Sequence, residues 1–179
     1  MRAKTGLVCV IVLLAATLAP GQGFDNIDST VLVIPSRYTI VQLGFDVLRL
    51  RPAVSLVAYD ISPTGEPVLH VWNAQQRDWV RTGIEELRSG SIFRSPPRSA
   101  VVMGTDEEID PALSEAVKAV SPTVEEIHSR ALADLVNGLN KVLRFTPGEW
   151  KRLARKHGLV LKDLNEQRRR YGKYGPPKR

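Results

Sequence analysis

The stretch Val31-Leu32-Val33-Ile34-Pro35-Ser36-Arg37-Tyr38-Thr39-Ile40-Val41-Gln42-Leu43-Gly44-Phe45-Asp46-Val47-Leu48-Arg49-Leu50-Arg51-Pro52-Ala53-Val54-Ser55-Leu56-Val57-Ala58-Tyr59 decides the fold. Val31 to Ile34 is a short β-branched run of the kind that fills a buried strand. Apolar residues at Ile40, Leu43, Val47 and Leu48 then recur at helical spacing. Ser36 is placed to cap that helix, and Pro52 ends it by disfavouring α geometry at Arg51. Val54 to Tyr59 reads as a second strand. A strand, a helix of about four turns and a second strand make a βαβ unit, whose two strands run parallel.

Downstream of this unit the pattern changes and then returns. Ser62-Pro63-Thr64-Gly65 is turn chemistry, and Val68 to Trp72 with Asp78 to Arg81 reads as a hairpin. Thr82 followed by Glu85 has capping-box spacing for a short helix that stops at Gly90. Ser91 to Arg98 is a loop. Ala100 to Met103 is a further core strand, and Asp110-Pro111 opens a helix through Leu113, Ala116, Val117 and Val120. Val124 to Ile127 reads as a fourth core strand, and Leu132, Leu135, Val136, Leu139 and Leu143 share one helical face. Thr146-Pro147-Gly148-Glu149 combines an N-cap, proline at the first helical position and a capping-box glutamate, with Gly158 ending the helix. A second helix is expected over 162–170. The fold class is therefore α/β: a mostly parallel three-layer sheet with an inserted β-hairpin and a C-terminal helical hairpin.

The N-terminus reads as an export signal. Arg2 and Lys4 precede an apolar run from Leu7 to Leu18, which is too short for the roughly 20 apolar residues of a membrane-spanning helix. Small residues at Ala19, Gly21 and Gly23 place cleavage before Gln22 or Phe24. The expected division is a signal peptide at 1–23, an α/β domain at 24–145 and a basic helical hairpin with a tail at 146–179. The only cysteine, Cys9, lies within the signal, so the exported chain has no thiol for disulfides, thiolate catalysis or metal binding. That points to a periplasm, cell envelope or extracellular setting without disulfide staples.

Charge divides the chain. Residues 24–140 hold 10 Lys/Arg against 16 Asp/Glu, a net of −6, whereas 141–179 hold 13 against 3, a net of +10. The basic end is expected to meet an anionic partner or its own acidic domain. The basic run Arg168-Arg169-Arg170 with Tyr171 and Tyr174 also permits phosphate contact, but no nucleic-acid recognition motif accompanies it.

Candidate site residues follow from the sheet. In open parallel sheets ligands sit outside the carboxyl ends of the strands, which here brings forward Ser36, Arg37, Tyr38, Asp60, Gly104, Thr105, Asp106 and His128. Ser36 with His128 and Asp60 or Asp106 is the one conceivable hydrolase or transferase set, although no GxSxG elbow surrounds Ser36. Neither a GxGxxG nor a GxxxxGK[ST] phosphate loop occurs, and His70, His128 and His157 lack metal-ligand spacing, so no cofactor, metal or catalytic residue is assigned. Trp72 and Trp79 flank the hairpin turn, placed either to stack on sugar rings or to pack in the core.

Two resemblances bear on function. Ser36-Arg37-Tyr38 leading into a helix, with Val101-Val102-Met103-Gly104-Thr105 before another, resembles the type 2 cell-wall-binding repeat over about 31–143. Pro147-Gly148-Glu149-Trp150 with Leu153-Ala154, His157-Gly158-Leu159, Leu161 and Leu164 is similar to the helical half of a LysM domain, over about 146–165. That family binds N-acetylglucosamine-containing glycans, which implies a role for Gly148 and Glu149. Together they imply a non-catalytic envelope protein that binds cell-wall glycan or another anionic surface polymer through Arg37, Tyr38, Thr105, Asp106, Gly148, Glu149 and Arg168 to Arg170. The competing expectations are an exported hydrolase or transferase and an exported nucleic-acid binder.

Overall fold

The computed structural model describes residues 30–63, 65–93 and 95–160. The expected export signal, the expected helix over 162–170 and the Arg168-Arg169-Arg170 run lie outside the described residues. In chain order the elements are β1 (Thr30–Pro35), α1 (Tyr38–Leu50), β2 (Val54–Ile61), β3 (Pro67–Asn73), β4 (Asp78–Thr82) and α2 (Ile84–Ser89). They continue with β5 (Ser99–Gly104), α3 (Pro111–Val120), β6 (Thr123–His128), α4 (Leu132–Leu143) and α5 (Pro147–His157).

One sheet runs in the order β4-β3-β2-β1-β5-β6. The neighbours β2-β1-β5-β6 are all parallel, and the β3–β4 hairpin extends the β2 edge in antiparallel fashion. Alternation along the strands sorts the core into two layers, because successive side chains leave opposite faces. Leu32, Ile34, Leu56, Val101 and Met103 pack with α1, α4 and α5. Val31, Val33, Val57, Val102 and Tyr59 pack with α2 and α3. Central strands buried on both faces explain the near-continuous Val/Leu/Ile runs. Helix α4 approaches so closely that a Cβ on Gly138 would fall on the Ile127 side chain.

Helix ends follow their capping chemistry. Asp110 accepts the Ala112 N–H at 2.7 Å with Pro111 just inside the helix, and Thr146 and Glu149 form a reciprocal capping box. Gly90 and Gly158 close α2 and α5 at φ 73° and 63°. Two expected caps are corrected. Ser36 does not cap α1: its N–H donates to the Tyr59 carbonyl at 2.8 Å, prolonging the β1–β2 ladder, and Arg37 occupies the cap position without a capping bond from its side chain. Thr82 stays in β4 opposite Leu69, leaving Gly83 as the α2 cap. In both places the strand ladder claims the residue that local spacing assigned to the helix.

The boundary expected at 145/146 does not separate two packing units. Leu153 is 1% exposed and, with Phe145, belongs to the core layer formed by α1 and α4. Phe145 and Trp150 meet edge to face at 5.9 Å. Arg51 at the end of α1 grips both Glu149 oxygens, one of them at 2.9 Å. Lys156 pairs with Asp46, and His157 Nε2 lies 3.0 Å from the other Asp46 oxygen. Asp46, buried in the middle of α1, is thereby satisfied by the last turn of α5, as a buried carboxylate must be.

Candidate functional site

At the carboxyl ends of the parallel strands the chain reverses direction in the sheet: β1 leads outward through α1 to β2, and β5 outward through α3 to β6. This is the topological switch point at which open α/β sheets accept ligands. Arg37 and Tyr38 emerge from β1 there, beside Thr105 and Asp106 from β5, so these four residues do gather at one end of the sheet.

Arg37, Asp106 and the Thr105 backbone enter a set of ion pairs from which Tyr38 stands apart. Arg37 pairs with Glu108, whose other bonds include the Thr105 N–H at 3.1 Å. Arg130 adds a contact to Glu108 at 3.7 Å and one to Glu107 at 3.9 Å. His128 sits between Asp106 (Nδ1 to Oδ1, 2.7 Å) and Glu126 (Nε2 to Oε2, 3.4 Å). Glu126 also takes Lys118 at 2.8 Å and the Ser114 hydroxyl, and these bonds hold its carboxyl below the ordinary value. Beneath the pairs, the Tyr59 hydroxyl donates to the Met103 carbonyl at 2.8 Å, reaching past the end of β1. Burial pushes this phenol up to about 12. Gly104 is required at this point, because a Cβ would fall on the Tyr59 hydroxyl. Thr105 Oγ1 is buried without a hydrogen-bond partner among the described residues.

The conceivable Ser36–His128 pair is not assembled. Ser36 opens onto the α1 face with Val41 and Ala58, whereas His128 bonds to Asp106 and Glu126 toward the α3 face. With β5 between β1 and β6, the two strands are also about 10 Å apart. A nucleophile and its base must lie within hydrogen-bond reach, and these do not. Among the described residues no group of three or more His, Asp or Glu side chains is placed to hold a metal ion.

Glu149 is likewise committed. Its carboxylate accepts the Thr146 N–H at 2.7 Å and the Arg51 guanidinium, which hold it below the ordinary carboxylate range. Gly148 stands open, with nothing within 4 Å of an added Cβ. The outward side of α5 carries Lys151, Arg152 and Arg155, all exposed and without an acidic partner among the described residues.

A groove of about 300 Å³ lies on the α1 face, between that helix and the hairpin. Its lining is Ser36, Val41, Ala58, His70 and Trp79. The wall is stiffened by an edge-to-face cluster: Phe45 to Trp72 at 4.7 Å, Phe45 to Trp79 at 5.8 Å and Trp72 to Trp79 at 5.4 Å. The two hairpin tryptophans therefore pack, and Trp79 does so while presenting a surface to the groove. Tyr38, one helical turn before Val41, is 77% exposed, and its hydroxyl accepts from Gln42 Nε2 at 2.7 Å. Val41 and Phe45, off the main apolar stripe of α1, were the sequence signal for a second contact surface on this helix.

Fold and surfaces together define a three-layer α/β protein with a self-neutralised strand-end cluster, an aromatic groove and a basic outer helix. No protein-family model, curated protein or solved structure matches the chain.

Proposed function

We propose that the protein is an exported, non-catalytic cell-envelope component that binds an anionic surface polymer of the wall through the outward face of α5 and the basic residues that follow it. The observation that supports this reading is the contrast in free charge. Arg37 and Arg130 are neutralised by Glu107 and Glu108, and Lys118 by Glu126, so the strand-end cluster has no cation to spare. Lys151, Arg152 and Arg155 are uncommitted and belong to the segment of net charge +10. A polyanion gains most where cations need not first leave a carboxylate.

The test is co-sedimentation of the full exported chain with wall fragments carrying their anionic polymer, against fragments stripped of it. Binding is expected to the first preparation only. It should fall steeply between about 0.1 M and 1 M salt, as the Debye length contracts from about 10 Å to about 3 Å. Lys151→Gln, Arg152→Gln and Arg155→Gln together should remove most of it. Equal binding to both preparations, or indifference to the triple substitution, would refute the reading; tighter binding to DNA at matched salt would replace it with nucleic-acid recognition.

A further inference from the structure

We infer that the groove between α1 and the hairpin is a binding site for a neutral pyranose ring, a ligand separate from the polyanion and held by different residues. Three observations carry this. The lining contains no Asp, Glu, Lys or Arg, so an ionised occupant would be taken out of water without a counter-charge. The lining thus favours a neutral occupant. The lining does contain polar groups that the chain leaves unused: among the described residues neither the Ser36 hydroxyl nor the His70 ring has a side-chain hydrogen-bond partner. The remaining surface is apolar and aromatic, with Trp79 braced by Phe45 and Trp72 so that it holds its orientation before any ligand arrives.

A pyranose matches this division of chemistry. Its C–H face suits an indole or phenol ring, and its hydroxyls both donate and accept, which a serine hydroxyl and an imidazole can reciprocate. The volume lies at the small end of ligand pockets, roughly 300–1,000 Å³, which suits one or two rings. Ala58 lines the groove as the small member of a β2 face that otherwise shows Val54 and Leu56. An alkyl chain would fill the apolar part but leave Ser36 and His70 without partners.

Titration calorimetry of the full exported chain against cellohexaose, xylohexaose and mannohexaose, with 1-octanol as the alkyl probe, tests the assignment. Saturable binding of at least one oligosaccharide is expected, unchanged between low and high salt. Ser36→Ala and His70→Ala, both outside the core, should each weaken it roughly fivefold. Ala58→Leu should abolish it by filling the groove; if that variant does not fold, the two polar variants decide. Saturation by none of the sugars, binding indifferent to both polar substitutions, or octanol binding in place of sugar overturns the proposal. The oligosaccharides carry no charge, so failure here is distinct from failure of polyanion binding by α5.

Discussion

The strand-end cluster and the α1–hairpin groove sit at the same end of the same sheet, on opposite sides of it, and they differ in what their polar groups are doing. In the cluster Arg37, Arg130, Lys118 and His128 each face a carboxylate, and the Tyr59 hydroxyl closes the floor on Met103. In the groove Ser36 and His70 face solvent across an apolar wall. Topology nominates the cluster, since it occupies the switch point, but occupancy of that place by internal ion pairs makes it a structural fastening between β1, β5 and β6. A fold position is an address; the chemistry found there decides its use.

If the cluster is a fastening, altering it should cost stability, and the largest effect should come from its buried phenol. Tyr59 is 1% exposed and is pushed up to about 12, whereas its ordinary value is 10.0. The raised folded value means that the group's contribution is intact below pH 10 and is lost as pH rises toward 12, because the unfolded chain ionises first. The wild type should therefore lose on the order of 2 kcal/mol more than Tyr59→Phe between pH 9 and pH 12. Urea unfolding of both proteins at each pH measures this. Parallel curves would show that the phenol is not held neutral by the fold.

A smaller loss is expected at the ion pair above it. Arg37→Gln leaves Glu108, which is largely enclosed, with Arg130 at 3.7 Å as its remaining cation. The Arg37 side chain is more than a third exposed, so solvent already screens part of the pair. A cost of about 1 kcal/mol is expected, read as a lower urea midpoint with an unchanged slope. A change in slope would mean instead that the variant alters the compactness of a state, and the fastening argument would fail.

The two regions were also unequally legible in the sequence. The βαβ reading of Val31 to Tyr59 held because strand and helix periods are local properties of consecutive residues, and the capping box at Thr146 held for the same reason. The caps assigned to Ser36 and Thr82 failed because hydrogen bonds to Tyr59 and the pairing with Leu69 are long-range and outcompete the local option. Arg37 and Thr105 were placed at one sheet end by topology alone, but Glu108 as the partner of Arg37 depends on how the β5–α3 loop folds. The groove was legible only in part: Val41 lies off the main apolar stripe of α1, and the βαβ unit and hairpin bring positions 36, 58 and 70 near one another, but the turn of Trp79 onto this face depends on its packing with Phe45 and Trp72. In the same way, spacing marked Leu153 as apolar without revealing that Asp46 needed Lys156 and His157 to satisfy it.

The smallest expected effect is the most discriminating for the comparison. If the groove is a site and not a fastening, Ser36→Ala and His70→Ala should leave stability within about 0.5 kcal/mol of wild type, as surface substitutions away from bonded networks do. Both residues retain their backbone bonds in these variants: the Ser36 N–H still reaches Tyr59, and position 70 stays paired with Ala58 and Arg81. Thermal and urea unfolding of the two variants beside Arg37→Gln measures the contrast directly. A loss at Ser36 or His70 equal to that at Arg37 would mean that these polar groups are engaged in holding the hairpin to α1, and the distinction between a closed cluster and an open groove would collapse.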